Sequence, residues 1–199
     1  MGRCYTNIVV KGPNQRAVER TLAKKPRCAM VSPTIGGLTV VFDRDSDQQY
    51  GELATLSRKL SRQLNCLTLA IEIHGDSVFY YRLFEDGRTL DKYDSCPSYF
   101  GGSGPDHPSG GNAELLCKAF RVSKTSDRVH RVLHYNKFAE EDSSNWKYGD
   151  ETERHRDLAK ALKLPMFSVG FGYDILASGT DRPKGLHKKD LCVIENEEP

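Results

Sequence analysis

Two dipeptides do most to limit what this chain can fold into. Gly75-Asp76 and Asp86-Gly87 separate the runs LTLAIEIH (67–74), SVFYYRLF (77–84) and RTLDKYD (88–94). Each run is rich in β-branched and aromatic residues. A two-residue turn that tolerates positive φ joins adjacent antiparallel strands, so this spacing predicts a three-strand meander. A meander alone is marginal in water and needs further strands or a helical cover.

The preceding residues supply both. YTNIVVKG (5–12) is short and β-branched, which predicts a strand. Gly12-Pro13 is expected to open a helix, with Pro13 in its first turn and Val18 and Leu22 on one face. Pro26 ends it. RCAMVSP (27–33) and GLTVVFD (37–43) read as two strands joined by a turn at 34–36. Ser46 and Gln49 form the pattern of a capping box. Leu53, Leu56, Leu60 and Leu64 then recur at helical spacing. The order over 5–74 is β-α-β-β-α-β, that of a ferredoxin-like unit, with both helices expected on one sheet face. The predicted fold class is α+β: this unit extended by a β-meander, with a helical C-terminal part.

The RNA-recognition motif shares that order. Its third strand carries stacking aromatics, whereas GGLTVVFD places Leu38 and Val40 there. The similarity is one of topology, and base stacking on this sheet is not expected.

After the meander the pattern changes. Eight of the fifteen residues from 97 to 111 are Gly or Pro, which predicts an unpaired, irregular loop. AELLCKAF (113–120) follows as a helix capped by Asn112, and SDRVHRVLHY (126–135) as another. ETERHRDLAKALK (151–163) is a third, with Asp150 as N-cap. FSVGFGYDILASG (167–179) fits a strand or a short helix, and the polar tail from Thr180 is expected to fray. The expected organisation is a sheet domain over 1–96, a loop over 97–111, and a mostly helical part over 112–199 packed on the sheet.

Charge adds a constraint. The net charge is +2, but residues 1–65 hold eleven Lys/Arg against five Asp/Glu, and residues 66–120 hold four against eight. Such segregation predicts two faces of opposite sign. Six cysteines occur without a Cys-x-x-Cys pair and no secretory signal is evident, which predicts reduced thiols in a cytoplasmic protein. No apolar run approaches the roughly 20 residues of a membrane helix, so no membrane partner is expected. MGRCYT matches a short N-terminal acylation pattern, but Tyr5 already begins the first predicted strand.

Candidate sites follow from residue chemistry. Cys96 lies just past the meander, and His107 or His74 is the base that would make it a nucleophile. Tyr93, Asp94, Tyr99, Phe100 and Tyr173, with Asp174, suit a ligand surface at the loop and the sheet–helix seam. Arg16, Arg20 and Lys24 form a basic stripe on the first helix; Arg58, Lys59 and Arg62 lie on the second. His130 and His134 share a helix face, with His155, Glu153 or Cys117 as conceivable third ligands, but no His-Glu-x-x-His is present and no metal is expected. No cofactor is expected either: Gly170-Phe171-Gly172 lacks the third glycine of a dinucleotide loop, and 101–104 lacks the Lys-Ser/Thr of a phosphate loop. The leading expectation is a soluble, non-catalytic binding or regulatory module recognising a protein or small ligand at the 93–111 loop and seam. An enzyme using Cys96 is the first alternative, a nucleic-acid binder the second.

Overall fold

β-branched runs and leucine stripes set out the first elements in chain order: β1 (Tyr5–Lys11), α1 (Gln15–Leu22), β2 (Arg27–Val31), β3 (Leu38–Asp43), α2 (Tyr50–Gln63), β4 (Leu67–His74), β5 (Val78–Glu85) and β6 (Arg88–Asp94). The computed structural model describes residues 2–47, 49–122, 125–136 and 147–196. Both hairpin dipeptides turn as their chemistry requires. Gly75 and Asp76 have φ of +58° and +57°, and Asp86 and Gly87 have +49° and +79°. Two successive left-handed residues make a type I′ turn, whose twist matches that of the strands.

Two helix starts differ from expectation. Pro13 lies just before α1 rather than in its first turn, because Asn14 is the cap, its side chain accepting from Ala17 N at 3.0 Å. Ser46 is drawn away from α2, because its N–H (2.9 Å) and Oγ (2.6 Å) both donate to Asp43 Oδ2. Gln49 stands at the α2 N-cap without a side-chain bond.

The second half adds β7 (Ser109–Gly110), α3 (Ala113–Phe120), α4 (Ser126–Leu133), α5 (Glu151–Leu162), α6 (Tyr173–Ser178) and β8 (Cys192–Asn196), with a 3-10 turn at Met166–Ser168. Asn112 and Asp150 cap α3 and α5 as their positions predict, accepting from Leu115 N at 2.9 Å and Glu153 N at 2.7 Å. Residues 167–179 resolve into the turn and α6, closed by Gly179 in the left-handed region. Two expectations are overturned. The Gly/Pro loop is not wholly unpaired, since β7 pairs Tyr93↔Gly110 and Asp94↔Ser109. Nor does the tail fray up to residue 196, since β8 pairs residue by residue with β2 from Arg27↔Asn196 to Val31↔Cys192.

Among the described residues the eight strands form one antiparallel sheet in the order β7-β6-β5-β4-β1-β3-β2-β8, with six α-helices. Side chains alternate between its faces. Ile8, Val10, Ala29, Val31, Val41 and Ala70 pack under α1 and α2 with Val18, Leu22, Leu53, Leu56 and Leu60. Tyr5, Val9, Leu38, Val40, Leu69, Ile71, Phe79 and Tyr81 face the other way, against Leu116, Val132, Leu158 and Phe167. With both faces covered, β1 is buried from Tyr5 through Val10, which is why Ile8, Val9 and Val10 are apolar in succession rather than alternating. Each fully buried Leu, Ile, Val or Phe contributes roughly 1.5–3 kcal/mol. Leu38 and Val40 are among the covered residues, so that face offers no platform for bases.

Candidate functional site

β6 ends at Asp94, and the chain returns through 95–108 to lay β7 beside it. Two glycines carry it from there to α3. Gly110 and Gly111 have φ of +74° and +83°. A Cβ at Gly110 would come within 2.2 Å of Lys92 O, and one at Gly111 within 2.9 Å of the Tyr93 ring. Only glycine fits such close approach. Gly111 N then bonds Lys92 O at 2.9 Å. Asp91 closes the corner, its Oδ2 accepting from Tyr81 OH at 2.7 Å and from Asn112 N at 2.8 Å.

This corner and the facing side of α4 border an open cleft of about 560 Å³, lined by Asp91, residues 110–113, Glu114, Ser126, Asp127, His130 and His134. The His130 and His134 ring centroids are 4.4 Å apart. Burial, then the His130 charge, hold His134 below the usual imidazole range, while its Gly111 backbone contact opposes the shift. Three carboxylates and two imidazoles around a concavity attract a cationic or donor-rich group. The pair does not extend to a metal centre: no group of three His, Cys, Asp or Glu among the described residues is placed to hold an ion. His155 is instead buried with Nδ1 2.7 Å from Tyr5 OH, and Glu153 accepts from Gly149 N at 2.9 Å. Cys117 Sγ lies 3.7 Å from Thr125 Oγ1.

The other predicted residues are dispersed. Tyr93 is in the core, donating to Leu133 O at 2.8 Å and accepting from Arg154 Nη1 at 2.7 Å. Arg154 is itself buried. Its Nε is 2.8 Å from Glu151 Oε2, within ion-pair distance but not aligned as a hydrogen bond, and its guanidinium lies 5.4 Å from the Tyr148 ring. Asp94 Oδ1 accepts from Cys96 N at 2.9 Å, and burial raises its carboxyl. Tyr99 and Phe100 are exposed, with ring centroids 4.9 Å apart, and Phe100 meets His74 edge-on at 5.0 Å.

Cys96 is buried, its Sγ 3.6 Å from Ser98 Oγ. His107 is exposed, with Nδ1 3.3 Å from Pro108 O. No hydrogen bond among the described residues joins that thiol to His107 or His74, so the structure does not assemble the pair a nucleophile needs. Tyr173 opens α6 beyond β1, lining a cavity of about 300 Å³ with Met30, Leu186 and Val193. That places it at the β8 end of the sheet and Tyr93 near the β7 end. Arg16, Arg20, Lys24, Arg58 and Arg62 are all exposed.

The carboxylates of the cleft were missed in the sequence. Asp91 carried one signal: it shares strand parity with Tyr93, so it had to face the helices. Glu114 and Asp127 carried none beyond their places in first helical turns. No family model, curated protein or solved structure matches the chain.

Proposed function

We propose that the protein is a cytoplasmic binding module that holds a cationic group of a protein or small ligand in the seam cleft. The observation that carries this reading is the ring of Asp91, Glu114, Asp127, His130 and His134 around one concavity. Asp91 is fixed there by two hydrogen bonds, so one wall is ordered before a ligand arrives. The six free thiols support the compartment. The central order β4-β1-β3-β2, with α1 and α2 on one face, supports reading the core as a ferredoxin-like unit to which β5–β8 were added.

A fluorescein-labelled peptide with paired Lys and Arg residues is the probe. Its anisotropy titration is expected to saturate at pH 7.5 and to weaken as the pH is lowered, where a protonated His134 repels a cation. Glu114→Lys combined with Asp127→Lys changes two exposed side chains and should leave the circular dichroism spectrum intact while weakening binding at least tenfold. Absence of saturable binding, or equal affinity in the double variant, overturns the reading.

A further inference from the structure

α1 and α2 lie side by side on the sheet face opposite the seam cleft, burying Val18, Leu22, Leu53, Leu56 and Leu60. Their outer surfaces carry Arg16, Arg20, Arg58 and Arg62, each pair one helical turn apart, and all four are exposed. Where the helices converge, a cleft of about 240 Å³ opens, floored by Leu22 and Leu60 and rimmed by Lys24, Lys25 and Lys59. Arg27 also borders it but is neutralised by Asp43 at 2.6 Å.

None of the other seven cations (Arg16, Arg20, Lys24, Lys25, Arg58, Lys59 and Arg62) forms an ion pair with a carboxylate among the described residues. Lys25, then burial and Arg27, hold the Lys59 ammonium below its usual value. Helix packing therefore keeps like charges together, an arrangement that a bound anion relieves. Glu19 does not fill that role, since it is directed at Cys192.

The chemistry of the surface selects the anion. Insertion into a membrane and docking of an acidic protein both draw on exposed apolar or aromatic anchors. Among the described residues the exposed large apolar side chains are Ile35, Leu90, Tyr99, Phe100, Met166 and Val193, none of them on α1 or α2. A purely ionic, arginine-rich face suits a phosphodiester backbone, which arginine grips bidentately. No stacking platform accompanies it, because Leu38 and Val40 are covered. We propose that the outer surface of α1 and α2 is a sequence-independent phosphate-backbone face for a nucleic-acid duplex, anchored at the Lys24–Lys25–Lys59 cleft.

Anisotropy of a fluorescein-labelled DNA duplex of about 20 base pairs tests this. With four or so phosphates neutralised, affinity should fall about a hundredfold between 50 and 200 mM salt. Two base sequences should bind equally. Arg16→Glu with Arg20→Glu, and separately Arg58→Glu with Arg62→Glu, should each weaken binding tenfold or more with unchanged circular dichroism. Duplex-induced amide shifts in the wild-type protein, confined to α1, α2 and residues 24–27, would support the site without any substitution. Salt-independent binding, undiminished binding in both variants, or shifts elsewhere overturn it. So does displacement of the duplex by an equal charge of polyglutamate, or preferential binding to vesicles containing about 30% anionic lipid.

Discussion

Glu72 lies on β4 facing the α1–α2 layer, 5% exposed, and its Oε2 has no hydrogen-bond partner among the described residues. Burial, and then Asp47, push its carboxyl up to about 7. The folded protein therefore holds this proton more tightly than the unfolded chain, whose ordinary value is about 4.3. Glu72 favours the fold fully below that value. The advantage declines as pH rises toward 7 and is gone above it. Glu72→Gln stays neutral throughout, so it should exceed the wild type by roughly 3 to 4 kcal/mol at pH 8 and match it near pH 3.5. His155 titrates with the opposite consequence: burial, then Arg156, push it down to about 3, and stability is lost as pH falls from about 6.5. Its contribution cancels in the difference between variant and wild type. Urea midpoints at the two pH values measure that difference, and a gap of equal size at both would mean that Glu72 is ionised in the fold.

At the scale of elements, β8 is the longer of the two strands, with β7, that local pattern did not reveal. Its five residues pair along the whole of β2, and Ile194, 6% exposed, completes the apolar layer beneath α1 and α2. Ile194→Ala should cost about 2 kcal/mol and speed amide exchange in β2 while sparing β4 and β5; unchanged stability and exchange would mean an edge that frays. The hairpins were legible because Gly75-Asp76 and Asp86-Gly87 encode their turns locally. CVIEN was not, because its partner lies at the opposite end of the chain and Glu195 and Asn196 mask its period. The site divides in the same way. His130 and His134 were visible as a helical pair, whereas their meeting with Asp91 depends on how β6 and α4 pack. Tyr93 was read as a ligand contact because it borders the loop, yet its hydroxyl serves Arg154 on α5, a pairing that no local pattern announces.

The molecule as a whole is tied together through the sheet face that looks away from α1 and α2. One cluster of buried side chains runs from Tyr5 and Val9 through Ile71, Phe79 and Tyr93 to Leu116, Val132, Leu158, Phe167 and Leu186. The buried Arg154 guanidinium reinforces the join, bonding Tyr93 of the sheet while its weaker 3.4 Å contacts reach Val132 O and Leu133 O. Residues 1–96 alone would keep α1, α2 and most of their layer but expose the opposite face, including Val40, Leu69, Ile71, Phe79 and Tyr81. At roughly 1.5–3 kcal/mol for each large apolar side chain, that loss exceeds the 5–15 kcal/mol by which a domain of this kind is stable. The 1–96 fragment should therefore lack a cooperative urea transition and bind a hydrophobic dye, while the full chain unfolds in one step with coincident circular dichroism and fluorescence curves. A sigmoidal transition in the fragment would make the C-terminal helices a separable cover. Coupling is the expected outcome, because one buried apolar cluster joins the sheet face to α3, α4 and α5, and Asp91 with the Gly110–Gly111 turn forms one wall of the seam cleft and α4 the other.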